Sequence, residues 1–199
     1  MIAAIVLAAG ESRRMGFPKS LLRVDGKSFV EQIVTALKAT KVGPIIVVLG
    51  HNAEEIKSKI AHLPITVVIN KHYAEGQLSS LTTAIRSLEV EKPEEKVDGI
   101  LVHLVDHPFL KPSLINQLID RFYESGKLIV LPRYKDRRGH PVIFSSQLFP
   151  ELLGVPTDQG AKSVVHAHQK ETLEIETDQE GVTVDIDTPE EYQQYVGRK

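Results

Sequence analysis

Five short segments, Ile2–Ala8, Ile45–Leu49, Ile65–Ile69, Ile100–Val105 and Leu128–Leu131, are apolar without alternation and rich in β-branched residues. A strand with one wet face alternates polar and apolar side chains. A strand that is apolar on both faces is covered on both sides, as in a parallel sheet between helices. Helical patterns lie between these runs. Phe29, Ile33, Val34 and Leu37 share one helix face, and Ser28 is placed to cap it. Further helices are expected over Glu54–Ile60, Ser80–Leu88 and Pro112–Tyr123, the last with Leu114, Ile115, Leu118, Ile119 and Phe122 as its apolar stripe. Alternating strands and helices predict an α/β fold of three layers, α/β/α, with a mostly parallel sheet. At 199 residues, 42% of them apolar, the chain suits a single domain over 1–199.

The last third follows a different pattern. Arg133–Phe144 reads as a turn and strand with charged residues at the tip, and Lys162–His168 as a helix. Thr172–Ile175 and Val182–Ile186 read as short strands. A final helix starts where Thr188 caps, Pro189 takes the first position and Glu191 completes a capping box. Glu89–Val97, charged and containing Pro93, is expected to be an exposed loop.

Bulk properties narrow the function. A formal charge of −2 gives no reason to expect nucleic acid or an anionic membrane as partner. The absence of cysteine excludes disulfides, Cys-ligated zinc and a thiol nucleophile, and it fits a cytoplasmic protein. The apolar start is too short to span a membrane and lacks the basic flank of a signal peptide.

The richest segment is Ile2–Leu22. Its apolar run breaks into Ala9 and Gly10, followed by Arg13, Arg14, Gly16, Pro18 and Lys19. A buried strand ending in a small-residue loop with fixed cations is a device for holding phosphates, because backbone N–H groups reach phosphate oxygens only where side chains are absent. The dinucleotide fingerprint does not fit, since Ser12 stands where its second glycine belongs. The Walker pattern does not fit either, since Phe17 and Pro18 separate Gly16 from Lys19.

The segment resembles the signature of the molybdenum-cofactor nucleotidyltransferases, in particular the cytidylyltransferase branch of the MobA-like NTP transferases. That signature is met by Leu7, Ala8, Ala9, Gly10, Ser12, Arg14, Met15, Gly16, Pro18, Lys19, Leu21 and Leu22. The resemblance implies a Rossmann-like, GT-A-like nucleotidyltransferase fold. It makes Leu7, Ala8, Ala9, Gly10 and Lys19 nucleotide-binding, and Arg14 and Lys19 catalytic. Arg13 stands beside Arg14 as the alternative contact.

Three more elements of the family's nucleotide and metal sites follow. Gly76–Leu81 resembles its serine-rich nucleotide element, with Ser79 and Ser80 as contacts and Leu78 in place of a serine; read alone, Ser79 would be a helix cap. Val105-Asp106-His107-Pro108 resembles its metal motif. A carboxylate at a strand end suits Mg2+, a hard cation that prefers oxygen, and Asp106 also borders the nucleotide. Val184–Pro189 resembles its closing Asp-Ile-Asp-Thr-Pro run, which makes Asp187 the second metal ligand and Asp185 an outer residue. Alternatively, both acids merely serve the next helix N-terminus.

Two elements resemble those around the acceptor substrate. These are Gly139-His140-Pro141 and Thr157–Lys162, with His140, Asp158 and Gly160 as substrate-binding residues and Lys162 where Arg is usual. His103 is expected to pack within the sheet, and His166 and His168 to lie on a helix surface.

The implied reaction transfers CMP from CTP to the phosphate of molybdopterin, with Mg2+ as cofactor and pyrophosphate as leaving group. A molybdenum hydroxylase of the xanthine dehydrogenase type is the implied recipient. Ala9 leans towards CTP over GTP. Open beside this are transfer from GTP, transfer to a sugar or polyol phosphate, a non-catalytic maturation factor, and a regulatory nucleotide-binding module.

Overall fold

The computed structural model describes residues 1–91 and 96–197. Strand β1 (Ile2–Ala8), buried along its whole length, runs near the middle of the sheet. The strands β4 (Ile45–Leu49) and β6 (Gly99–Leu104) pair with it on either side, both parallel. β5 (Thr66–Ile69) adds a parallel edge beyond β4. Beyond β6 the pattern breaks. β9 (Val142–Ser145) is antiparallel to both β6 and β7 (Ile129–Tyr134), and β10 (Thr172–Glu176) closes the other edge parallel to β7. The order is β10-β7-β9-β6-β1-β4-β5, with β8 (Arg137–Arg138) folded back on β7. The sheet is therefore mostly parallel, as expected, with β9 and β8 as its antiparallel members.

Two apolar layers sandwich the sheet. On one face α1 (Phe29–Lys38), α2 (Ala53–Ile60), α4 (Pro112–Ser125) and α7 (Pro189–Tyr195) pack through Phe29, Ile33, Ile56, Ile60, Ile115, Leu118 and Tyr192. On the other, α3 (Gln77–Glu91), α5 (Phe149–Gly154) and α6 (Gly160–Ala167) pack through Leu81, Ile85, Leu152 and Val164. Burying these side chains stabilises the fold by about 1.5–3 kcal/mol apiece. Both expected capping boxes form. Ser28 with Glu31 opens α1, and Thr188 with Glu191 opens α7.

Several expectations need correction. Val182–Ile186 is not a strand. A 3-10 turn covers Glu180–Thr183, and the chain then meets other elements at single points: His140 N–H donates to Val182 O (2.8 Å), and Ile186 N–H to Asp106 O (2.9 Å). Helix α3 starts at Gln77, so Ser79 lies inside its first turn and does not cap it. Of the loop expected over Glu89–Val97, residues 89–91 belong to α3, and residues 92–95 lie outside the described residues. Helix α5 and the hairpin of β2 (Arg23–Val24) and β3 (Lys27–Ser28) carry no periodic signal long enough to read. No helix among the described residues is long and apolar enough to cross a membrane.

Candidate active site

The loop after β1 folds back on itself through Ser12. The Ser12 carbonyl accepts from Met15 and Gly16 N–H, both at 3.0 Å, and its hydroxyl accepts from Lys19 N–H at 3.1 Å. Met15 is buried and pins the loop to the core, while Gly16 turns it with φ of 71°. This closure separates the two arginines. Arg13 pairs with Glu11 and is largely exposed. Arg14 reaches Asp187 Oδ2 at 2.6 Å.

Lys19 is the centre of the constellation. Its ammonium donates to Asp106 Oδ2 at 3.0 Å and to Asp187 Oδ1. Two carboxylates 81 positions apart in the chain thus share one cation, at the ends of β6 and of the segment before α7. Burial pulls the Lys19 ammonium down, but Asp106 and Asp187 outweigh it and leave it above its usual range. Burial likewise pushes Asp187 up, and the hydrogen bond and charge of Lys19, with Arg14, bring it below the usual carboxylate range. Asp106 Oδ1 is buried with no hydrogen-bond partner. Asp185 is exposed.

A cavity of about 230 Å3 opens beside it, lined by Leu7, Ala8, Ala9, Gly10, Ser12, Lys19, Tyr73, Gly76, Gln77, Ser80 and Asp106 among others. Ser79 is absent from this lining. Its hydroxyl faces the carbonyls of His72 (2.9 Å) and Gly76 (2.8 Å), holding the turn into α3. Two lining or supporting residues were not foreseen. Asn70 is buried, and its amide donates to Ser79 Oγ (2.9 Å) and Ser80 Oγ (3.0 Å) while its carbonyl oxygen accepts from His72 N–H (2.8 Å). A lone Asn just after a strand was the available signal. Tyr73 borders the cavity with its ring edge-on to His51, and nothing in its sequence context marked it.

A second cavity of about 360 Å3 adjoins the first and shares Leu7, Gln77 and Leu104 with it. Its walls are mostly apolar, including Leu78, Leu81, Val102, Leu131, Val142 and Phe144, with Arg138, His140, Lys162 and His166 as polar groups. Gly139 is required beside His140, because a Cβ there would lie 2.5 Å from Val182 O. Asp158 is exposed, and neither it nor Gly160 lines the cavity.

Half-buried His140 adjoins the buried His107 and His103, with His107 5.1 Å from His140 and 6.2 Å from His103 between ring centroids and the rings tilted or edge-on to one another. Burial holds all three below the usual range, His107 at about 3, so the cluster is uncharged at neutral pH. His168, expected on a helix surface, pairs with Glu151. Among the described residues no group of three or more His, Asp or Glu side chains gathers as a ready metal site.

A family model described as the MobA-like NTP transferase domain matches residues 4–172. The chain is 28% identical to nicotine blue oxidoreductase of Paenarthrobacter nicotinovorans, over 96% of this chain and 94% of that one. It is 26% identical to the molybdenum cofactor cytidylyltransferase of Escherichia coli K12, over 96% and 93%. The solved structure of Rv0371c from Mycobacterium tuberculosis H37Rv in complex with manganese superposes with a TM-score of 0.82 at 26% identity, covering 100% of this chain and 99% of that one. With a mixed, mostly parallel sheet, a cationic loop after its central strand and a match spanning most of its length, the chain belongs to the MobA-like NTP transferase family and is a nucleotidyltransferase.

Proposed function

We infer that the chain transfers the CMP of CTP to the phosphate of molybdopterin and releases pyrophosphate. The observation that carries this reading is the convergence of Arg14, Lys19, Asp106 and Asp187 beside a cavity lined by Leu7–Gly10 and Ser80. The small residues of that lining leave room for phosphates against the backbone. Arg14 and Lys19 supply positive charge where charge shifts during transfer.

Asp106 and Asp187 would hold a divalent ion such as Mg2+. Carboxylate oxygens are its preferred donors, and Asp106 Oδ1 is a buried oxygen with no hydrogen-bond partner. Two carboxylates leave the remaining positions to water and phosphate oxygens. When bound, such an ion neutralises charge on the phosphates. The acceptor needs no general base, since a phosphate monoester with second pKa about 6 is already ionised near neutral pH. Binding has only to hold it in line with the α-phosphate.

The adjoining cavity supports an acceptor with a planar ring, whose faces can pack on apolar walls while its polar edges meet a few side chains, over a polyol. Its walls offer few partners for a row of hydroxyls, while His140 and Lys162 give polar anchors. Ala9, buried and lining the nucleotide cavity, narrows the space beside the base and disfavours a purine by about 1–3 kcal/mol. The name of the Escherichia coli relative agrees with this choice.

A nucleotide panel with molybdopterin as acceptor and Mg2+ present tests the reading. CTP is expected to release pyrophosphate at least tenfold faster than GTP. Equal turnover of both would refute the base preference, and acceptor-independent or absent release with CTP would refute the reaction.

A further inference from the structure

The geometry points to competition between the Lys19 ammonium and the divalent ion for one position between Asp106 and Asp187, so that the protein without nucleotide holds Lys19 there and admits the ion poorly. This rests on the assignment of the two aspartates as metal ligands. Lys19 Nζ touches one oxygen of each carboxylate, Asp106 Oδ2 at 3.0 Å and Asp187 Oδ1, so an ion that these two aspartates would hold needs oxygens that the ammonium already engages. Arg14 takes the other oxygen of Asp187 at 2.6 Å.

The four side chains sum to zero charge. Side-chain exposure is only 12% for Lys19, 24% for Asp106 and 18% for Asp187, so solvent screens these three charges weakly, while Arg14, 69% exposed, contributes the more screened charge. A divalent ion added to the set would leave a double positive charge uncompensated and would have to displace or repel an ammonium held at hydrogen-bond distance. A nucleotide triphosphate changes both conditions. It brings the missing negative charge, and it offers Lys19 new oxygens within reach of a flexible four-carbon stem carrying three rotatable donors. The same lysine then serves twice, holding the carboxylate pair together and afterwards neutralising phosphate. Asp106 Oδ1, buried and without a hydrogen-bond partner, is the one oxygen of the two carboxylates that neither Lys19 nor Arg14 bonds.

The probe is Mn2+ alone, titrated into the full chain without nucleotide and followed by the electron paramagnetic resonance of the free ion. Lys19→Met and Lys19→Gln are expected to bind Mn2+ at least tenfold more tightly than the parent protein. In both variants Mn2+ should also raise the thermal unfolding midpoint by several degrees while leaving the parent unmoved. Variants that bind Mn2+ no more tightly than the parent would overturn the competition. Adding Asp106→Asn to Lys19→Met should abolish the gained binding. If the gain survives that change, the aspartate assignment itself is wrong and the proposal falls with it.

Discussion

At the residue scale, Asn70 does most with least warning. It follows β5, and its side chain spends both donor directions on Ser79 and Ser80 and its acceptor on the His72 backbone. Two hydroxyls and a turn are thereby fixed by one amide, and Ser80 is held where it lines the nucleotide cavity. Asn70→Ala removes three hydrogen bonds, two of them buried, and leaves polar groups unpaired, a loss of about 2–3 kcal/mol. Urea unfolding should register that loss, and the KM for the nucleotide should rise more than kcat falls, because the turn positions and does not react. A variant with parental stability and KM would show that the serines hold their places unaided. Ser79 teaches the complementary lesson. Its type and position suggested either a ligand contact or a cap. Its hydroxyl instead closes the turn on the His72 and Gly76 carbonyls, a partner choice set by tertiary structure.

At the scale of elements, the opening of α7 ties local capping to the carboxylate pair. Glu191 accepts from Thr188 N–H at 2.9 Å and also from Asp187 N–H at 2.7 Å, so the capping side chain anchors the backbone of the aspartate that meets Lys19. Glu191→Ala should cost about 1 kcal/mol of stability. It should also lower the rate of pyrophosphate release more than Glu31→Ala, which breaks the equivalent box on α1 away from the site. Equal losses of activity in the two variants would mean that the Asp187 anchor is irrelevant to turnover. The box itself was legible because capping is local, three residues apart in sequence. The central strands β1, β4 and β6 were legible because burial on both faces leaves uninterrupted apolar runs. The antiparallel insertion of β9 between β6 and β7 was not, since Val142–Ser145 looks the same in either direction and only its partners decide. Val182–Ile186 misled for a related reason. Its apolar alternation comes from packing against the core, while its backbone pairs at isolated points with His140 and Asp106 instead of along a ladder. The convergence of Asp106 with Asp187 was inferable from the family resemblance and from both being read at the carboxyl end of a strand, where ligands of open α/β sheets bind, because nothing local links residues so far apart.

At the scale of the whole molecule, the uncharged histidine cluster sets how the protein responds to acid. His103 is almost wholly buried at the centre of the sheet, and its Nε2 donates to His107 O at 2.8 Å. Burial first, then its neighbours His107 and His140, hold it well below the usual value, against a smaller opposing contribution from that hydrogen bond. In the unfolded chain it titrates near pH 6.5. Below that pH the unfolded state binds a proton that the folded state refuses, so stability falls as pH falls, by about 1.4 kcal/mol per pH unit for each such histidine. Urea unfolding between pH 6.5 and 4.5, above the range where Asp187 gives up its own contribution, should show this slope. His103→Gln keeps an N–H able to reach the His107 carbonyl but cannot titrate, so it should flatten the slope by about one histidine's worth. A parent protein whose stability is constant across that window would mean that the cluster is hydrated and charges freely. A flattened slope would show that the sheet's centre holds His103 uncharged, three residues before the strand-end Asp106.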